Sequence, residues 1–277
     1  MSYLLSPKVD FVFKRIFGNE KHPEILISFL NAVIKPKNLI KSVEIRNTDI
    51  DKEYLSDKYS RLDIKALTDK GEYVNIEIQV KNEYNMIKRS LYYWSKMFES
   101  QIVEGDNYDK LERTICINIL DFKYLRNSNF HNTYRLKEIN TNEELTDTME
   151  LHFIEIPKLK NYEDTDEVVD MLEAWISFLK DPDSKIVSKL EMSRDEIREA
   201  KIQLIKMSSD SKERERYEKR MESLLEKTSS IQSAEKKGEL MKAIAVARTA
   251  IEKNFDDFTI QELTGLSLEE IRELRNN

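Results

Sequence analysis

One cysteine, three histidines, five glycines and five prolines occur in 277 residues. A single cysteine excludes internal disulfides and cysteine-rich zinc sites. Cys116 sits in the apolar run Thr114–Leu120, where it reads as a buried structural thiol rather than a nucleophile. His22, His131 and His152 lie far apart and show neither metal-ligand nor triad spacing, so they read as structural or surface residues. Scarce glycine and proline argue for short or helical connections instead of flexible linkers. No apolar run nears the roughly 18 residues that span a bilayer, and the N-terminus lacks a basic-then-apolar signal pattern. The expectation is a cytoplasmic chain with no membrane segment. A glycine-rich phosphate loop is also missing.

What is present is charge, 35% of residues against 40% hydrophobic, enough for one sizeable core and a charged helical extension. The net charge of −7 is unevenly spread. Residues 1–42 carry seven Lys/Arg against three Asp/Glu, whereas residues 158–184 carry three against eight, so the acidic stretch should face away from any nucleic acid.

Helical spacing of apolar residues predicts helices over Val9–Phe17 and Pro23–Ile34, the second opened by a proline suited to a first turn. Strands follow at Val43–Arg46, Arg61–Leu67 and Tyr73–Val80, the last two alternating with period two. Tyr84–Val103 reads as a helix burying Ile87, Leu91, Trp94, Phe98 and Ile102. Thr114–Phe122 is an apolar strand, and Tyr134–Ile139 and Glu150–Ile156 are later ones. Beyond Pro157 the pattern turns helical: Val168–Leu179, Asp195–Met207, Lys212–Glu226 and Ala234–Asn254. The sparse apolar positions between Asp210 and Lys237 suit a solvated helical hairpin or an oligomerisation arm. Residues 258–275 read as a small helix-turn-helix. Its second helix carries Glu269, Glu270 and Glu273 against Arg272 and Arg275, so packing or a dimer contact stands beside DNA reading. The domains are therefore expected at 1–160 and 161–277.

In the second strand Arg61, Asp63 and Lys65 share the polar face; in the third, Asn75, Glu77 and Gln79 do. Asp69-Lys70-Gly71 fits a three-residue hairpin loop with Gly71 at positive φ, which pairs Thr68 with Glu72 and, counting outward, Asp63 with Glu77. Opposed Cβ atoms lie about 4.5–5.5 Å apart, where two carboxylates repel unless a proton or cation intervenes. A hard cation such as Mg²⁺ resolves this; so do surface ion pairs with Arg61, Lys65 or Lys81. The row Asn75-Ile-Glu-Ile-Gln79 and the following Lys88, Arg89, Tyr92 and Tyr93 together suit a phosphate-facing surface. Trp94 reads as packing rather than a base-stacking platform.

Four motifs in order, Pro7-Lys-Val-Asp-Phe-Val-Phe-Lys-Arg-Ile-Phe-Gly18, Arg61-Leu-Asp-Ile64, Asn75-Ile-Glu-Ile-Gln79 and Arg89-Ser-Leu-Tyr-Tyr93, resemble the Rpn family of recombination-promoting nucleases and transposases within the PD-(D/E)XK superfamily. Gln101–Tyr108 and Thr264-Gly-Leu-Ser267 extend the resemblance. It implies an α/β fold, a restriction-endonuclease-like mixed sheet flanked by helices, followed by an all-α C-terminal region. It further implies a Mg²⁺-dependent DNA endonuclease of low sequence specificity, Mn²⁺ being the other candidate ion. Asp63, Glu77 and Gln79 would be the catalytic residues, with Asp63, Glu77 and the Ile78 carbonyl on the metal. Gln79 stands where many relatives carry lysine; glutamine orients a water or phosphate oxygen through its amide, and within the Rpn branch a Glu-x-Gln form is the expected one. Asp10 or Glu24 would add a water-mediated ligand, and Lys14, Lys88 and Arg89 would contact phosphates of double-stranded DNA. The competing expectation is a non-catalytic DNA-binding or regulatory protein, working as a homo-oligomer through its C-terminal helices or as one member of a toxin-inhibitor pair.

Overall fold

Gly71, at φ +80°, closes a tight turn in which its N–H donates to the Thr68 carbonyl (3.0 Å) and Thr68 N–H donates to the Glu72 carbonyl (3.0 Å). That turn joins strands β2 (Ile64–Thr68) and β3 (Tyr73–Gln79) in the expected register, with Lys65 opposite Asn75 and Ile64 opposite Ile76. The computed structural model describes residues 3–46, 63–162 and 170–276. The expected strand start at Arg61 and helix start at Val168 lie outside them.

The elements run α1 (Asp10–Phe17), α2 (Pro23–Ile34), β1 (Val43–Arg46), β2, β3, α3 (Met86–Glu99), β4 (Thr114–Leu120), β5 (His131–Lys137), β6 (Glu144–Glu155), α4 (Met171–Lys180), α5 (Lys185–Ser193), α6 (Asp195–Ser209), α7 (Ser211–Glu252), α8 (Asp257–Thr264) and α9 (Leu268–Asn276). The helix-helix-strand-strand-strand-helix-strand order up to β4 is the one the periodicities imply. The sheet order is β1-β2-β3-β4-β6-β5. β3, β4 and β6 run parallel at its centre, with antiparallel pairs on both sides. All seven residues of β4 are buried, as a central parallel strand covered on both faces requires.

One sheet face carries Ile64, Ala66, Val74, Ile76, Ile78, Ile115, Ile117 and Ile119, all buried. The other, beneath α3, is partly polar, with Asn75, Glu77 and Asn118 buried alongside Cys116 and Leu120. The helical layer is held by aromatics. Phe17 lies 5.3 Å from Phe29 and 5.2 Å from Trp175, ring centre to ring centre. The Trp175 indole N–H donates to Ser28 Oγ (3.2 Å). α4 therefore shares a core with α1 and α2, and Leu5 N–H donates to Ser208 Oγ of α6 (3.0 Å).

Two compact units are distinguished, Met1–Arg214 and Glu215–Asn277. The second has its own small core of Ala247, Ala250, Ile260, Leu266 and Ile271. Its helix-turn-helix uses Gly265 at φ +72° and a capping box in which Ser267 N–H donates to Glu270 Oε2 (2.8 Å) and Glu270 N–H to Ser267 Oγ (3.3 Å).

Three local expectations are corrected. Of the two readings of the segment between Asp210 and Lys237, a helical hairpin or an oligomerisation arm, the hairpin gives way to one 42-residue helix, α7; no proline interrupts it, and Gly238 alone does not break the ladder. α5 was not anticipated. The inward face of α3 is Met86, Ser90, Tyr93 and Met97, whereas Ile87 and Leu91 are exposed at 45% and 41%. Apolar residues lie all around this helix, and the polar layer beneath it selected Ser90 over the larger side chains.

Trp175 is fully buried, so Trp175→Ala should cost about 3–5 kcal/mol. Urea unfolding checks this, and a cost below about 1 kcal/mol would contradict a core shared by α4 with α1 and α2.

Candidate active site

The β2–β3 register places Asp63 beside Glu77, just past the last ladder pair. The two are tied reciprocally: Ile78 N–H donates to Asp63 Oδ2 (2.8 Å), and Asp63 N–H donates to Glu77 Oε1 (3.2 Å). Side-chain carboxylates thus continue the ladder where main-chain pairing stops, each fixed by a backbone N–H of the opposite strand. Glu77 is 2% exposed. Its second oxygen accepts from Arg89 Nη2 (3.2 Å), and Arg89 also reaches Glu83 (4.0 Å) and lies over the Tyr93 ring (5.3 Å).

The electrostatics follow from crowding like charges in a dry place. Burial, then the neighbouring Asp63 charge, pushes the Glu77 carboxyl above its ordinary value, and Arg89 offsets this only in part. Burial likewise raises Asp63 and Asp10 adds to it, against the Ile78 N–H, Arg89 and Lys14. Burial works against the Arg89 charge too, but Tyr93, Glu77 and Glu83 hold it more firmly protonated than usual. The pair is under-compensated by the protein's own cations, and a small divalent cation would favour both ionised forms. The donors are all oxygen, which suits Mg²⁺ or Mn²⁺. In extended backbone the N–H and C=O of one residue leave on the same side, so the Ile78 carbonyl shares the Asp63 side with its N–H. Among the described residues no group of three or more His, Cys, Asp or Glu is arranged to hold a metal.

The other expected residues fall into three groups. Asp10 and Lys14 on α1 come close enough to act on Asp63 electrostatically, and Arg89 joins the pair directly. Gln79 is half-buried, and its carbonyl accepts from Asp121 N–H (2.9 Å); Asp121 in turn pairs with Lys8 (2.7 Å). Lys88 is exposed, while Glu24 is exposed and pairs with His22 (3.1 Å). The row expected to form a phosphate-facing surface is covered instead: Asn75 is 1% exposed under α3. The sequence reading missed Ser90 and Asn118. Asn118 Nδ2 donates to Ser90 Oγ (2.9 Å) and to the His152 carbonyl (3.0 Å), completing a buried polar layer beside Glu77. Their polar character inside otherwise apolar segments was the available signal. Trp94 packs, stacked on Phe98 at 4.8 Å, with its N–H on the Thr114 carbonyl (2.9 Å).

Two measurements check these environments. Glu77 ordinarily titrates at 4.5; because its folded value is raised, the folded chain keeps a proton the unfolded chain has released, so stability falls as pH climbs from 4.5 through the raised value. Chelator-treated protein should show that fall in urea titrations, and Glu77→Gln should flatten it; an unchanged slope would refute the buried, crowded carboxylate. Burial also pushes the Cys116 thiol up, so a thiol reagent should leave native protein unlabelled and react only after denaturation.

The family model described as PD-(D/E)XK nuclease family transposase matches residues 7–234. No curated protein and no solved structure matches the chain. The match spans β2, β3 and their carboxylate pair together with the mixed sheet and its helical cover: this chain belongs to the PD-(D/E)XK nuclease family transposases.

Proposed function

We propose that the protein is a metal-dependent DNA endonuclease of low sequence specificity that hydrolyses phosphodiester bonds and thereby promotes recombination or transposition. The observation that carries this reading is the reciprocal Asp63–Glu77 pair, locked by Ile78 N–H and Asp63 N–H. Two carboxylates held this way are pre-organised for one cation and need little rearrangement to receive it.

Asp63, Glu77 and the Ile78 carbonyl would hold Mg²⁺ or Mn²⁺. Such an ion, when bound, polarises a phosphoryl oxygen and makes a coordinated water more acidic. Arg89 lessens the cost of ionising Glu77 and would share its charge with a phosphate. Gln79 extends from the same strand face as Glu77, where its amide would orient a water or a phosphate oxygen. Lys14 beside Asp63 and the exposed Lys88 would contact the DNA backbone, drawing binding strength from phosphate neutralisation.

A second reading, a regulatory or oligomeric protein that retains the nuclease fold, draws on α7, whose exposed Leu225, Leu240 and Met241 suit a helix-to-helix contact between copies. It predicts self-association that Asp63→Ala leaves intact.

Purified protein incubated with supercoiled plasmid separates the two. Nicking should require Mg²⁺ or Mn²⁺, stop with chelator, and drop by roughly two orders of magnitude or more in Asp63→Ala and Glu77→Ala. Equal cleavage by all three proteins would remove these residues from the chemistry. DNA binding that survives without any cleavage would favour the regulatory reading.

A further inference from the structure

A guanidinium that holds an anion firmly does so through two parallel N–H groups, and Arg89 does not hold Glu77 in that way. Its Nη2 makes one contact with Glu77 Oε2, at 3.2 Å. Its Nη1 stays 4.0 Å from Glu83, beyond hydrogen-bond length. Among the described residues, Arg89 Nε is buried with no hydrogen-bond partner, and a buried donor left unsatisfied is costly. The firmer support is an aromatic one. Tyr93 follows Arg89 by one turn of α3, the guanidinium carbon lies 5.3 Å from the centre of its ring, and the Tyr93 hydroxyl hydrogen-bonds the group. Tyr93 is itself 7% exposed and packed with Met97, Tyr73 and Tyr92. Arg89 therefore has a fixed seat and a weakly held anion.

We propose that Arg89 is an exchangeable counter-ion, resting on Glu77 while the carboxylate pair is metal-free and turning on its Tyr93 seat to a DNA phosphate once a divalent cation takes Glu77. This rests on the nuclease reading and adds an order of events to it. A divalent ion held by Asp63 and Glu77 would draw on the same carboxylate and repel the guanidinium at short range in a dry site. A phosphate offers what Glu77 does not, two oxygens for a side-on fork that engages Nε together with Nη2. The Arg89 side chain is 27% exposed, so an acceptor arriving from solvent can reach it. Phosphate withdraws Arg89 from Glu77 and so tightens the cation; the cation frees Arg89 and so tightens DNA by the same factor.

Two measurements on the full chain test the exchange. In the first, Mn²⁺ is added without DNA and the free ion is followed by electron paramagnetic resonance. Arg89→Gln should bind Mn²⁺ roughly tenfold more tightly than the unaltered chain, whereas Arg89→Lys, which keeps the charge, should stay close to it. In the second, a short fluorescent duplex is followed by anisotropy. Arg89→Gln and Arg89→Lys, both lacking the fork, should weaken DNA binding several-fold in Ca²⁺ and hardly at all in chelator, where Arg89 of the unaltered chain still rests on Glu77.

Circular dichroism establishes that each variant folds, and if Arg89→Gln does not, Arg89→Lys decides the DNA arm alone. Unchanged or weaker Mn²⁺ binding in folded Arg89→Gln would overturn the exchange. Equal losses of DNA affinity with and without Ca²⁺ would also overturn it, making Arg89 a fixed phosphate contact. The two levels of inference fail separately. Mn²⁺ binding that Asp63→Ala abolishes keeps the metal site whatever Arg89 does, whereas an unaltered chain that binds no Mn²⁺ loses both the exchange and the nuclease reading.

Discussion

Two carboxylates forced together out of water are the constraint around which the centre of this protein is arranged. Glu77 sits under α3 at 2% exposure with Asp63 beside it, and neither is comfortable ionised. The protein answers with backbone N–H groups on one oxygen of each and with the guanidinium of Arg89 on another. Leaving that compensation partial is costly for folding: the same crowding of negative charge that weakens the metal-free fold would give a divalent ion its affinity.

The rest of the fold supplies rigidity to that arrangement. β3 is the hinge of the topology, antiparallel to β2 on one side and parallel to β4 on the other. One face of the strand is anchored in isoleucine and valine packed toward the helices, the other in the polar layer with Ser90 and Asn118. Phe17, Phe29 and Trp175 clamp α1, α2 and α4, and α1 in turn carries Asp10 and Lys14 to within electrostatic range of Asp63. A helix distant in sequence thus tunes the Asp63 carboxylate.

The part of this that could be read from the sequence was the part governed by short-range rules. A three-residue loop with glycine at its end and two period-two strands dictate one register, and the Asp63–Glu77 juxtaposition follows. Features that depend on long-range packing were harder. The buried face of α3 was misjudged because Ile87, Leu91 and Phe98 fit helical spacing as well as Met86, Ser90, Tyr93 and Met97 do; only the polar layer beneath distinguishes them. The break expected within α7 reflected sparse apolar residues, and these do not end a helix that lacks a breaker. His131 and His152, 21 positions apart, looked unrelated because their meeting depends on the β5–β6 register, which shifts between Tyr134 and Lys137 and leaves no local signature.

The Asp69-Lys70-Gly71 turn is exposed at its tip, where loops ordinarily tolerate changes of length. Here one added or deleted residue would slide β2 along β3 and set Asp63 against Ile76 or Ile78, whose side chains leave the sheet on the opposite face. The turn's length is therefore part of the Asp63–Glu77 geometry, and substitution within it should be far more permissible than insertion.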